Sequence, residues 1–357
     1  MNACARVVRC AAGAALAVCF IASSAAADAV GDFYKGKQLT LIISLPPGGG
    51  YDAYARAVGR HLADHLAGAP TVVPQNMPGA GGLRATDYLY SKAPKDGSVI
   101  AAIQPTVPFE PLFGTPNANF DVTRFNWLGS PNSEVGLLIT WHASPVKTIA
   151  AAESHEFTVG ATGAASTPAY YSRVMNAVLG TKQKIVSGYS GQPEALLAME
   201  RGEIDGFGSA FWSSLKATKA DWISGHKINI LLQYALEPHP ELPNVPFALD
   251  LAKNAEDKLL LEVAVAPLSV GRPFVAPPGV PADRLKALRT ALQATFKDPA
   301  FLADAKKQRL EVTTTKTGEQ LSAIMAKVYA APPKIIARLR DIYEEGRREA
   351  QKEKKKK

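Results

Sequence analysis

Short apolar runs alternate along this chain with longer stretches in which apolar residues recur every three or four positions, and small or polar turns separate the two. The first run, Leu39, Leu41, Ile42, Ile43 and Leu45, reads as a strand buried on both faces. Pro46-Pro47 ends it. Gly48-Gly49-Gly50 then makes a turn without side chains, and Asp52 stands as a candidate N-cap for a helix patterned by Ala55, Val58, Leu62 and Leu66. The order repeats. Thr71–Val73 is a short strand closed by Pro74, Asn76–Gly82 a second glycine turn, and Leu83–Ala93 a helix. Pro94-Lys95-Asp96-Gly97 turns the chain into a third strand, Ser98–Gln104, that ends at Pro105-Thr106.

A connecting region with Trp127, Gly129 and Asn132 leads to Leu137–Thr140, where the same grammar restarts. Phe157–Gly160 is a strand, residues 161–167 a small-residue loop, and Pro168 the opening of a helix through Leu179 capped by Ser166 or Thr167. Lys184–Val186 and Ile204–Phe207 are further strands. Gly188–Gln192 follows the first as a loop, with a helix from Pro193 to Arg201; Gly208-Ser209 follows the second, ahead of a helix containing Trp212. Strands alternating with helices describe doubly wound, mostly parallel sheets in an α/β fold, and such sheets carry ligands outside the carboxyl ends of their strands. Two similar lobes imply a cleft between them. Ala264–Ala266 and Arg272–Gly279 look like extended crossing segments, and helices at Pro281–Phe296, from Asp298-Pro299, and at Ile335–Glu349 complete the first lobe. The expected division is lobe 1 at 28–135, lobe 2 at 136–254, and completion of lobe 1 with the C-terminal helices at 255–351.

A strand, a bare glycine turn and a helix start aim backbone N–H groups and the positive end of a helix dipole at one point, which suits an anion. Tyr51 and Asp52 follow the turn in place of Lys-Ser/Thr, so it is no P-loop, and the G-x-G-x-x-G dinucleotide spacing is absent.

Residues 1–27 carry the marks of a signal peptide: Arg6 and Arg9, an apolar Ala11–Ile21, and Ala25-Ala26-Ala27 before Asp28. They predict export to the periplasm with cleavage after Ala27. All three cysteines (Cys4, Cys10, Cys19) fall in this segment, leaving the mature chain without a disulfide or thiolate metal site. Acylation at Cys19 is the weaker alternative, because Val18 stands where a small residue is needed. The formal charge of +8 falls to +2 over residues 28–351 once Arg6, Arg9 and the net +4 of Lys352–Lys357 are set aside. That balance is not a nucleic-acid footprint, and the lysine-rich end reads as a solvated, disordered tail.

Enzyme signatures are weak. His61 and His65 lie four apart on one helix face, but HLADH lacks the glutamate of H-E-x-x-H, so a surface-exposed pair is expected and no metal. Gly188-Tyr189-Ser190-Gly191-Gln192 misses the last glycine of a nucleophile elbow. We therefore expect no enzyme, no catalytic residue and no cofactor.

The ordered set PPGGGYDAYAR, NMPGAGGLRATDYL, APKDGSVI, GYSGQPEALLAMERGEIDGF and FVAPPGVPADRLKALRTAL resembles the extracytoplasmic solute-binding proteins of the tripartite tricarboxylate transporter family. The resemblance spans nearly all of the mature chain. It implies a two-lobe type II periplasmic binding fold that closes on a small di-, tri- or aromatic carboxylate and delivers it, as a monomer, to integral membrane permease subunits. A ligand sensor without a permease is the alternative, and a periplasmic hydrolase a weaker one. Carried over by the resemblance, the ligand-binding set is Gly48, Gly49, Gly50 and Asp52; Gly79, Ala80 and Gly81; Thr162, Gly163 and Ser166; and Asp205 with Ser209. Tyr51 stands where the family has a small threonine, and the loop after Gly160 lacks the usual histidine. To the set we add hydroxyls of Thr106 and Thr167, Arg84 as a second charge partner, and Tyr51 and Tyr189 as stacking faces for an aromatic acid. Asp52 reads as a cap sooner than a ligand group, since a bare carboxylate repels an anion.

Overall fold

The computed structural model describes residues 29–48, 50–161, 166–189 and 192–356. The chain divides into two compact units. The expected signal segment lies outside the described residues.

Unit 1 comprises the chain up to Gln104 with Arg124–Gly129 and Phe274–Ala305. Strand β1 (Gln38–Ile43) is its centre, paired in parallel with β2 (Thr71–Asn76) on one side and β3 (Val99–Ala102) on the other. Leu39, Leu41, Ile42 and Ile43 are at most 1% exposed, and burying each such side chain contributes about 1.5–3 kcal/mol. Strand β10 (Phe274–Ala276) joins β3 antiparallel and in turn carries β4 (Asn126–Ser130), giving the order β4-β10-β3-β1-β2. Helix α1 (Gly50–Leu62) buries Tyr54, Ala55, Ala57, Val58 and Leu62 as one face. It packs against β2 and α9 (Ala282–Thr295). Helix α2 (Leu83–Ser91) joins β2 to β3.

Unit 2 holds a second sheet in the order β7-β6-β8-β5-β9. Its strands are β5 (Gly136–Trp141), β6 (Phe157–Ala161), β7 (Gln183–Ser187), β8 (Gly206–Phe211) and β9 (Ile228–Tyr234). β6 runs parallel to β7 and β8, whereas β5 lies antiparallel between β8 and β9. Helices α4 (Thr167–Leu179) and α5 (Gln192–Glu200) pack on this sheet, α5 over a core that includes Leu137, Ile139, Met199, Phe207 and Trp222. Helix α8 (Ala255–Val270), α11 (Gly318–Tyr329) and α12 (Pro333–Lys356) complete the unit, with α12 packed on α4 and α8. The α/β class with two sheet-bearing units is therefore observed.

Three elements differ from the sequence reading. Ala264–Ala266 is not extended but lies inside α8, which Asn254 caps by accepting the Asp257 N–H. This helix is buried from Val263 to Val270, so no polar face reveals its 3.6 period and its apolar run reads like a strand. Gly208-Ser209 is not a loop, because β8 continues to Phe211. The lysine-rich run expected to be a disordered tail continues α12 to Lys356; Lys, Glu and Gln are all good helix formers, and they extend a helix already anchored by packing. Among the described residues no helix is long and apolar enough to cross a membrane.

Gly206 of β8 lies hard against β5: a Cβ there would lie 2.3 Å from the Ile139 carbonyl oxygen. That oxygen belongs to the backbone and cannot turn aside. Gly206→Ala is expected to destabilise the protein by about 1–3 kcal/mol, read as a lowered urea midpoint with unchanged slope; wild-type stability would place β8 farther from β5.

Candidate functional site

The pairing registers set the geometry of unit 1. Ile43 pairs with Asn76 and with Ala102, so three parallel strands end level and their loops leave from one sheet edge. At that edge two exposed turns stand: Gly48 with the start of α1, and Gly79–Gly81 ahead of α2.

One buried carboxylate organises the first turn. Asp52, 6% exposed, accepts the Gly48 N–H at 3.0 Å on Oδ2, and Asn76 Nδ2 and Arg56 Nε at 2.9 Å each on Oδ1. Asn76 also donates to the Leu45 carbonyl at 2.9 Å and accepts Arg56 Nη2 at 2.7 Å. Burial works to raise the Asp52 pKa, but the hydrogen bonds from Gly48, Asn76 and Arg56 outweigh it and hold the carboxyl below its ordinary range. Asp52 is thus ionised and fully engaged. It sits in the third position of α1, reaching back to the turn, and is not the N-cap residue that the sequence suggested. The Gly48 N–H is correspondingly spent on Asp52. The first turn of α1, Gly50 to Asp52, brings further backbone N–H groups to the same place. Ser44 ties in the third loop, its hydroxyl accepting the Gln104 N–H at 3.0 Å.

The second turn is held by its own backbone. Gly79, Ala80, Gly81 and Gly82 have φ of 144°, 46°, 66° and 103°, four successive residues on the left-handed side. Gly82 donates to the Gly79 carbonyl at 3.0 Å. A Cβ on Gly81 would meet nothing within 4 Å, so the turn faces open space. Arg84 is exposed, with its guanidinium 3.5 Å from the Pro78 carbonyl.

In unit 2, β6 ends at Ala161 beside Ser187 of β7, and Ser166, Thr167 and Tyr189 follow these ends. Ser166 takes the cap position of α4, its carbonyl accepting the Tyr170 N–H at 2.8 Å, and Thr167 opens the helix half-buried. Tyr189 lays its ring on the unit 2 core; burial raises its pKa, with Glu203 and Glu194 adding to the rise, so its hydroxyl stays protonated. Ser209 is 4% exposed within β8, past the residue that pairs with Gly160, and so lies toward the same edge. Asp205 does not join them. It precedes β8 and holds Thr158 at the amino end of β6, its Oδ2 accepting the Thr158 N–H at 2.8 Å and hydroxyl at 2.7 Å. Thr106 is half-buried before the turn Val107–Phe109 and groups with unit 2. Gly49, Thr162 and Gly163 lie outside the described residues.

Sequence reasoning missed Ser44, Asn76 and Arg56. Only the Asp52–Arg56 spacing, one helical turn apart, announced itself. The histidines differ too from an exposed pair. His61 Nε2 lies 3.2 Å from Asp304 and His65 Nε2 2.8 Å from Asp298, both rings half-buried. Among the described residues no group of three or more His, Cys, Asp or Glu is placed to hold a metal ion.

A family profile described as "Tripartite tricarboxylate transporter family receptor" matches residues 54–339, most of the chain. The chain belongs to this receptor family. Protein BugT of Bordetella pertussis is 36% identical to it over 106 residues, 26% of this chain and 32% of BugT. The match thus spans under two thirds of that relative. Among solved structures, a TctC solute-binding protein from Polaromonas aligns with a TM-score of 0.65 and 18% identity, over 87% of this chain and 99% of its own. MatC of Rhodopseudomonas palustris, solved with bound malate, gives 0.60 and 19%, over 86% and 99%. These likenesses establish the fold of the receptor. The paired turns and the Asp52 network are features of this receptor's own chain.

Replacing Asp52 by Asn keeps its size and removes its charge. At pH 7 Asp52→Asn is expected to lower stability by about 0.5–2 kcal/mol, the usual scale for a lost helix-terminal bond. The sign with pH follows from the depressed pKa: the contribution is complete above the ordinary carboxylate range and is lost as pH falls through the lower folded value. Urea unfolding of both proteins from pH 7 down to the acid limit should therefore show the gap close only in the acid range, and a gap independent of pH would refute the assignment.

Proposed function

We propose that this receptor captures a small carboxylate at the turns of unit 1 and passes it from the periplasm to integral membrane permease subunits. The observation that carries the reading is the level ending of β1 and β2, which brings two exposed, donor-bearing turns to one edge. Such an edge offers backbone N–H groups and the positive ends of α1 and α2 to an anion without needing a lysine. Each charge-assisted hydrogen bond contributes about 1.5–3 kcal/mol, so a few suffice for micromolar affinity. The malate bound by the R. palustris relative is an acid of the right class.

In this proposal Gly50, Tyr51, Gly79, Ala80 and Gly81 supply main-chain contacts, with Gly48 and Gly49 shaping the turn. Arg84, on the exposed start of α2, meets a second carboxylate when the acid carries one. In unit 2, Thr106, Ser166, Thr167 and Ser209 offer hydroxyls of the kind that hold a carboxylate. Tyr51 and Tyr189 offer faces to an aromatic acid. Asp52 serves by holding the turn, and Asp205 by holding Thr158. The acid is bound and released unchanged.

The test is a thermal-shift panel of malate, longer dicarboxylates, citrate and benzoate on the protein lacking residues 1–27. At least one acid should stabilise saturably, by about 2.7 kcal/mol at a hundred times its dissociation constant. Recovery of altered acid would favour a hydrolase, and no shift with any acid would sink the reading.

A pair of variants separates charge from shape, because Asp and Asn both tolerate left-handed backbone. Gly81→Asp is expected to weaken the acid about a hundredfold by replacing open space with a like charge, while Gly81→Asn loses about tenfold or less. Equal losses in the two would mean the charge of the ligand is read elsewhere.

A further inference from the structure

The carboxylate reading makes no use of the last turns of α12. The first part of this helix is anchored: Ile335 and Leu339 are buried, it packs on α4 and α8, and the Tyr343 hydroxyl donates to Glu110 at 2.9 Å. Gly346 is buried as well. Beyond it the helix runs on to Lys356, a further length of about 15 Å at the rise of an α-helix. From Arg347 to Lys357 the sequence holds seven cations, two arginines and five lysines, against the two carboxylates Glu349 and Glu353.

The cations are arranged as well as numerous. Arg348, Lys352 and Lys355 are exposed. Spaced by four and then three residues, they form one row along the helix, and the row is about 10 Å long. That length is about one Debye length at 0.1 M salt, so the three charges act together on any surface they meet. Positions 349 and 353 fall about 100° or more further round the helix. Asp341 and Glu345, both exposed, precede the three on the same row, so the row turns from acidic to basic at Arg348, just past the anchored part.

The composition of this end tells which kind of partner suits it. Between Glu344 and Lys357 no apolar side chain is larger than that of Ala350. The core of a protein interface is rich in aromatic residues and Met and poor in Lys and Glu, the opposite of what stands here. A surface of phosphates needs no apolar anchor, because clustered lysines and arginines are attracted to it by summed charge alone. We propose that the basic end of α12 docks the protein on an anionic phospholipid surface. The turns of unit 1 take no part in this contact, so the docking stands or falls independently of carboxylate capture.

The experiment is co-sedimentation of the protein lacking residues 1–27 with vesicles of phosphatidylcholine, alone or mixed with phosphatidylglycerol. The protein should sediment with the mixed vesicles at low salt, stay in solution with phosphatidylcholine alone, and be released as salt is raised. Each cation near an anionic bilayer contributes about fivefold in affinity. Replacing Arg348, Lys352 and Lys355 together by Gln, a good helix former, should therefore weaken binding about a hundredfold, with the thermal midpoint and the response to the acid panel unchanged. The matched control replaces three cations exposed elsewhere on unit 2, Lys184, Arg201 and Lys253, by Gln and should bind within about threefold of wild type. Equal losses in the two triple variants, or full affinity in the first, would overturn the location. Equal binding to phosphatidylcholine alone would overturn the role of charge. Failure to bind the mixed vesicles would overturn the lipid assignment, and capture by poly-L-glutamate in that case would assign the row to an acidic protein instead.

Discussion

The arrangement of unit 1 depends on one buried carboxylate. Taking Asp52 out of water is unfavourable unless the charge is met by donors, and here an N–H, an amide and a guanidinium meet it. Those donors come from three places: the turn after β1, the last residue of β2, and the next turn of α1. Satisfying the carboxylate therefore fixes the turn, the strand end and the helix against one another. Asn76 extends the constraint to the Leu45 carbonyl, and Ser44 extends it to the loop after β3. Loops at the end of a sheet would otherwise be its most mobile parts. Here they are cross-braced.

The same network settles an electrostatic difficulty. A carboxylate at the start of α1 sits close to where an anion would be held, and unpaired it would repel that anion. Arg56 pairs with it in the next helical turn, so the couple is close to neutral and the helix dipole is left to act. Main-chain donors held in this way differ from a lysine in selectivity. A lysine would attract any anion through a flexible point charge, whereas N–H groups fixed by a rigid turn favour a planar group of one size.

Much of this was legible in the sequence, and the failures have physical causes. Pro46-Pro47 and the run of glycines punctuate the chain so strongly that the first turn is readable without a structure, and the level strand ends follow from repeating the same unit. Asn76 escaped because asparagine at a strand end is an ordinary turn residue; nothing in its identity tells that its amide bridges two loops. Ser209 was placed in a loop because Gly-Ser usually marks one, yet β8 accepts a glycine at 208 where the helix α4 packs close: a Cβ there would lie 2.0 Å from Ser172 Oγ. Helix α8 hid because burial on all sides erases the period on which recognition of a helix rests. His61 and His65 looked like a solvent-facing pair only because Asp298 and Asp304 lie more than 230 residues away in sequence.

Asp205 and Asp52 show why residue type alone misleads about a site. Both are aspartates beside strand ends, and both were candidates for the ligand. Asp52 stands at the carboxyl edge of the unit 1 sheet and Asp205 at the amino end of strands in unit 2, yet each spends its oxygens on a backbone N–H and on a polar side chain. A carboxylate committed in this way cannot also bind a ligand without leaving its donors unmet, a loss of about 1–3 kcal/mol for each. Fixing the backbone is therefore the work of the aspartates, and neither carboxylate is left to meet a ligand. The division has a structural logic, because a donor is only as selective as it is rigid, and the acidic side chains supply the rigidity from behind.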